Sequence, residues 1–101
     1  MVKNIIVFGS LDESRIRVDN SDFNIGPEIE TSMVGDRDLN VRYDSRYGIP
    51  DSNKEELEKF AKYIGSHIEL GSIRRPDSKN LKDIVFIHIP LEYNLTITNK
   101  P

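Results

Sequence analysis

A chain of 101 residues with no cysteine, 14 basic and 17 acidic side chains and a net charge of −3 excludes several functions before any motif is read. Disulfides, thiolate metal sites and cysteine nucleophiles are ruled out, and interspersed charge of mildly acidic balance argues against a nucleic-acid binder, which wants a basic stripe. One domain over residues 1–101 is expected, because a chain of this length buries roughly two-thirds of its unfolded surface and forms a modest core without a staple.

The apolar runs fall well short of the roughly 20 residues that span a bilayer. The opening stretch MVKNIIVFGS has too short an apolar part for a signal peptide and is read as structure. A cytoplasmic protein without a membrane partner is therefore expected, which the missing cysteine also fits. Frequent Asn and Ile with no Trp suit an AT-rich genome, in the style of a phage or mobile-element protein.

In chain order, NIIVF (4–8) is a β-branched and aromatic run bounded by Gly9-Ser10 and reads as a buried strand. RIRV (15–18) alternates, with Ile16 and Val18 inward and Arg15 and Arg17 outward. DNSD (19–22) is turn chemistry, because Asn and Asp bond their own backbone and tolerate left-handed conformations. Gly26-Pro27 breaks the chain. EIETSM (28–33) places Ile29, Thr31 and Met33 on one face, and LNVRY (39–43) does the same with Leu39, Val41 and Tyr43. The short Gly-containing link between them predicts a hairpin.

A helix from Ser52 to Ile64 follows Pro50-Asp51. Ser52 and Glu55 have capping-box spacing, Glu55, Glu56 and Glu58 sit near the positive end of the dipole, and Lys59 and Lys62 come later. Leu57, Phe60, Ala61 and Ile64 form one apolar stripe, and Gly65 is the expected stop. SHIEL (66–70) fits a last turn or a short strand, and GSIRRPDSKN (71–80) is read as loop. DIVFIHI (83–89) is a strand ended by Pro90, and LEYNLTIT (91–98) alternates through Leu91, Tyr93, Leu95 and Ile97. The class predicted is α+β: a single small domain, a mostly antiparallel sheet and one principal helix packed on one face.

Gly9-Ser10 after the first strand, followed by Asp22-Phe23-Asn24, resembles the phosphate-and-metal hairpin of polymerase-β-type nucleotidyltransferases. There the Gly-Ser backbone approaches nucleotide phosphates, and carboxylates two apart on a strand hold divalent metal. Asp83 would be the third carboxylate. Three departures favour a plain turn. The second metal position is the uncharged Asn24, the chain opens on a strand where the family opens on a helix, and a hairpin intervenes before the helix. A degenerate domain of this kind, or a nucleotide- or phosphate-binding one, is the alternative reading. The loop of Arg74 and Arg75 would then contact the phosphate.

His67 and His88 are the only histidines and share no metal-binding spacing. His88, flanked by Phe86, Ile87 and Ile89, is expected to be a half-buried structural side chain. No nucleophile elbow surrounds any serine, so catalysis is not expected and no cofactor or metal is implied. VRYDSRYGIP (41–50) stands out, with two Arg and two Tyr in six residues, the types enriched at interface hot spots. The leading expectation is a small non-enzymatic binding protein of inhibitor, immunity or adaptor type. Arg42, Tyr43, Arg46, Tyr47, Arg74 and Arg75 are its candidate contact residues, and the expected partner is a protein with an acidic surface. A phosphate-bearing small ligand is the second candidate, and self-association is left open.

Overall fold

The computed structural model describes residues 3–9, 13–26, 30–35, 37–44, 49–74 and 81–99. Eight strands and one helix run in the order β1 (Lys3–Gly9), β2 (Ser14–Val18), β3 (Ser21–Gly26), β4 (Glu30–Val34), β5 (Asp38–Asp44), α1 (Asp51–Tyr63), β6 (Ile68–Arg74), β7 (Leu81–His88) and β8 (Tyr93–Asn99). The α+β class, the single helix and the largely antiparallel pairing are those expected. The strands divide between two sheets, where one was anticipated. Sheet A has the order β3-β2-β1-β8, with β1 and β8 parallel, and sheet B has the order β4-β5-β7-β6, all antiparallel.

Two sheets follow from the alternation itself. A strand apolar on one face needs another apolar face to bury it, and one short helix cannot cover eight strands. Ile5, Val7, Ile16, Val18, Phe23 and Ile25 of sheet A meet Leu39, Val41, Val85 and Ile87 of sheet B in one core cluster that also takes in Leu57, Phe60 and Ile64 of α1. The radius of gyration, 13.2 Å, is what a compact domain of about 100 residues shows. Among the described residues no helix is long and apolar enough to cross a membrane.

The helix buries the predicted stripe: Leu57, Phe60 and Ala61 are fully inaccessible and Ile64 nearly so. Its start differs from the capping-box reading. Pro50 occupies the cap with extended backbone, Ser52 already lies inside the helix, and no side chain caps the first turn. Pro50 supplies the first acceptor instead, its carbonyl taking the Lys54 N–H at 3.0 Å. The stop is the one expected. Gly65 takes φ 77°, its N–H bonds the Lys62 carbonyl, and the Ser66 N–H bonds the Ala61 carbonyl, the two bonds of a Schellman motif.

Three boundaries correct the sequence reading. The turn DNSD shortens to Asp19-Asn20, with Asp19 at φ 54°, and Ser21 and Asp22 belong to β3. Phe23 and Ile25 point into the core, so their burial outweighs the turn preference of the preceding residues. Residues 71–74 extend β6 where a loop was expected, because pairing with β7 continues to Arg74↔Leu81. Leu91 is 81% exposed in the turn ahead of β8 and does not join the alternation of Tyr93, Leu95 and Ile97.

α1 packs on β3 and reaches β6, so it bridges the two sheets along one side. Phe23 meets Phe60 edge-on at 5.7 Å between ring centroids and Tyr63 at 6.2 Å. The Tyr63 hydroxyl donates to Asp19 Oδ2 at 2.8 Å, tying the β2–β3 turn to the helix end. At Gly26, φ 110°, an added Cβ would sit 3.0 Å from Asn53 Oδ1, so a side chain there would meet both strain and the first turn of α1.

Candidate functional site

Arg42 and Tyr43 are neighbours on β5 and face opposite ways. Tyr43 is 4% exposed, and its hydroxyl donates to the Ile25 carbonyl at 2.7 Å, a bond that crosses from sheet B to sheet A. Burial pushes the Tyr43 hydroxyl well above the usual phenol range. The ring is therefore core, and Tyr43 is corrected from contact residue to a pin between the sheets. Arg42 lies half-buried on the outer face of sheet B, opposite Ile84 on β7 and Glu30 on β4.

The register of sheet B then brings together two stretches far apart in sequence. Asp44 at the end of β5 pairs with Lys82 near the start of β7, and Arg74 at the end of β6 pairs with Leu81. The chain thus leaves β5 toward residues 45–48, and leaves β6 toward residues 75–80, from the same end of the same sheet. Arg46, Tyr47 and Arg75 lie outside the described residues, and of Arg74 only the backbone, the last position of β6, is described.

The outer face of sheet B continues away from that end in rows set by pairing. Ile84 lies between Arg42 and Gly71, Phe86 between Asn40 and Glu69, and His88 opposite Asp38. The Phe86 ring lies over Gly71, where a Cβ would come within 2.9 Å of it. Ile84 is 1% exposed here, outside the main core cluster. Asn40 is 3% exposed, and its Oδ1, like the Arg42 Nε, is buried with no hydrogen-bond partner. A buried polar atom left unpaired costs about 1–3 kcal/mol.

Beyond Phe86 a groove of about 230 Å³ is lined by Asp38, His67, Glu69, Phe86 and His88. His88 Nδ1 lies 3.2 Å from Asp38 Oδ1, and His67 Nε2 lies 3.5 Å from Glu69 Oε1. His88 is exposed, which corrects its expected half-burial, since it faces outward at the end of β7 and its pairing neighbour on β5 is the likewise exposed Asp38. The strand alternation already placed Phe86 and His88 on one face. That Asp38 and Glu69 join them depends on pairing across 50 and 17 positions, which no local pattern carries. Among the described residues no three His, Cys, Asp or Glu side chains gather as a metal ion would require.

The transferase-like residues are dispersed. Asp22 and Asn24 stand on β3 in sheet A, and Asp83 stands on β7 in sheet B. Asp22 is held by arginine: Arg17 Nε donates to Oδ1 at 2.7 Å and Arg17 Nη2 to Oδ2 at 3.3 Å, with Arg15 Nη1 3.9 Å away. The Arg17 hydrogen bond holds the Asp22 carboxyl below the usual range. Asp22 is thus a cross-strand ion-pair partner, in place of the turn former expected. Asn24 Oδ1 accepts the Gly26 N–H at 3.0 Å, which spends it locally, and Ser10 lies outside the described residues. Comparison with protein-family models, with curated proteins and with solved structures returned no match.

Proposed function

We propose that this protein is a non-enzymatic protein-binding module, of inhibitor, immunity or adaptor type, that engages an acidic protein surface at the 45–48 and 75–80 end of sheet B. The observation that carries this reading is the register that sends both Arg-bearing stretches out from one end, beside the half-buried Arg42. In sequence, Arg42, Arg46, Arg74 and Arg75 with Tyr47 lie in or next to these two stretches, and they are the residue types of hot spots. Their charge steers an acidic partner even though the whole chain carries −3.

Capture from host lysate with the parent, and with Arg46→Ala and Tyr47→Ala, tests it. A protein held by the parent should be lost or weakened by about 1–4 kcal/mol in either variant, with melting unchanged. Equal capture by both variants would remove the site from this end. Titration with nucleotides and Mg²⁺ should give no saturable heat. A Mg²⁺-dependent affinity abolished by Asp22→Ala would favour the nucleotide-handling alternative instead.

A further inference from the structure

The side of the molecule opposite α1 ends on β8 in sheet A and β4 in sheet B. Between them runs a groove of about 390 Å³ whose apolar lining is Met33, Ile89 and Leu95 and whose polar lining includes Asn94 and Thr96. Arg37, in the β4–β5 turn, reaches across it. Its Nη1 donates to the Tyr93 carbonyl at 2.6 Å and the Pro90 carbonyl at 3.3 Å. Among the described residues no strand pairs with the outer edge of β8.

That edge lacks the devices that normally keep a strand from pairing with another chain. Tyr93–Asn99 reads YNLTITN: seven residues with no charge, no proline and no glycine. The other edges differ. β3 is covered by α1, β4 has five residues, and β6 carries Glu69 and Arg74. The direction of the free amides follows from the parallel pairing. Lys3 N–H bonds the Glu92 carbonyl, whereas the Tyr93 N–H and C=O turn away to Pro90 and Arg37. Successive residues of a strand alternate in this respect, so Leu95 and Ile97 also present N–H and C=O outward, and Asn94, Thr96 and Thr98 bond β1.

We propose that β8 is a self-recognition edge, pairing antiparallel with β8 of a second copy of this chain about a two-fold axis at Thr96. In this register Leu95 faces Ile97 of the other copy, Asn94 faces Thr98, and Thr96 faces itself. From Asn94 to Thr98 aliphatic meets aliphatic and polar meets polar, and Thr–Thr is a favourable cross-strand pair. The backbone parity agrees. Leu95 and Ile97 become the hydrogen-bonded pairs, exchanging two bonds each, and Thr96 falls at a non-hydrogen-bonded position. The result joins both copies of sheet A into one continuous sheet through an isologous interface. It closes the edge that α1 closes on the other side.

Sedimentation analysis over a wide concentration range, with variants at Thr96, tests this. The parent should dimerise reversibly. Thr96 is exposed on the outer face, so Thr96→Lys and Thr96→Glu should keep parental circular dichroism and melting while each weakens the dimer about tenfold, through like charges facing one another. Mixing the two should restore it. The chain has no cysteine, so Thr96→Cys offers a second readout. Facing residues at a non-hydrogen-bonded position lie about 4.5 Å apart between Cα atoms, within disulfide reach. That variant should cross-link under mild oxidation, whereas Asn94→Cys should not. A parent that stays monomeric, a dimer indifferent to Thr96→Lys, or cross-linking of Asn94→Cys in place of Thr96→Cys would overturn the proposal.

Discussion

On one side of the two sheets the edge strands β3 and β6 lie under α1. On the other, β8 and β4 flank an open groove. The first side is closed by apolar burial: Leu57, Phe60 and Ile64 on the helix against Phe23 and Ile25 on the strand, finished by the Tyr63–Asp19 hydrogen bond. The second is spanned by Arg37, one side chain donating to two carbonyls. A helix of 13 residues suffices to cover one side of the stack, and among the described residues no strand pairs with the outer edge of β8. An uncharged edge without proline or bulge is a template for another strand, and it is where the second copy proposed above would pair.

The largest effect should come from the closed side. Phe60 is fully buried between α1 and β3, so Phe60→Ala should cost about 3–5 kcal/mol by combined transfer and cavity loss, a large part of a small domain's stability. Chemical denaturation measures it. A parental midpoint would mean that the helix does not hold this side shut.

Arg37→Ala tests the open side and should cost about 2 kcal/mol, the range for hydrogen bonds to a charged donor, since the Tyr93 and Pro90 carbonyls lose it together. The backbone bond from the Ile89 N–H to the Arg37 carbonyl, 2.8 Å, does not depend on the side chain and should persist in hydrogen exchange. If the variant melts like the parent, strand pairing alone fixes β8, and the open side owes nothing to the Arg37 side chain.

Which parts were legible in the sequence follows the range of the interaction that decides them. The stripe Leu57–Phe60–Ala61–Ile64 and the Gly65 stop are local, and both stand as read. β2 and β5 carry their alternation on their face, and β1 and β7 read as strands from their apolar, β-branched runs. β3 was lost because Asp19, Asn20, Ser21 and Asp22 are all turn formers, and only the two-residue turn with its opposing β2 register shows that half of them are strand. Tyr43 looked like an interface residue by composition. Its role depends on Ile25, which lies on the other sheet. Of the candidate site, Arg42 stands on the face that strand alternation gave it. The meeting of the 45–48 and 75–80 exits at one end rests on β5–β7 and β6–β7 register, which pattern alone does not encode.

The smallest effect belongs to a pair that touches neither side. Arg17 and Asp22 face each other across β2 and β3 on the outer surface of sheet A, the guanidinium also lying 5.3 Å from the Phe8 ring centroid. The Arg17 hydrogen bond depresses the folded-state value of Asp22 below its unfolded one. A depressed carboxylate contributes stability above the unfolded value, near about 3.9 for Asp, and loses it as pH falls through the folded value. Both groups are solvent-exposed, so water and salt screen the contribution to a minor one. Asp22→Asn should therefore lower the denaturation midpoint slightly at neutral pH and low salt. The gap from the parent should close below the folded value, where the parent's carboxyl is protonated too, and narrow again in concentrated salt at pH 7. A gap that persists unchanged in acid would assign Asp22 to strand packing, and one larger than that of Arg37→Ala would move the weight of the fold to the outer face of sheet A.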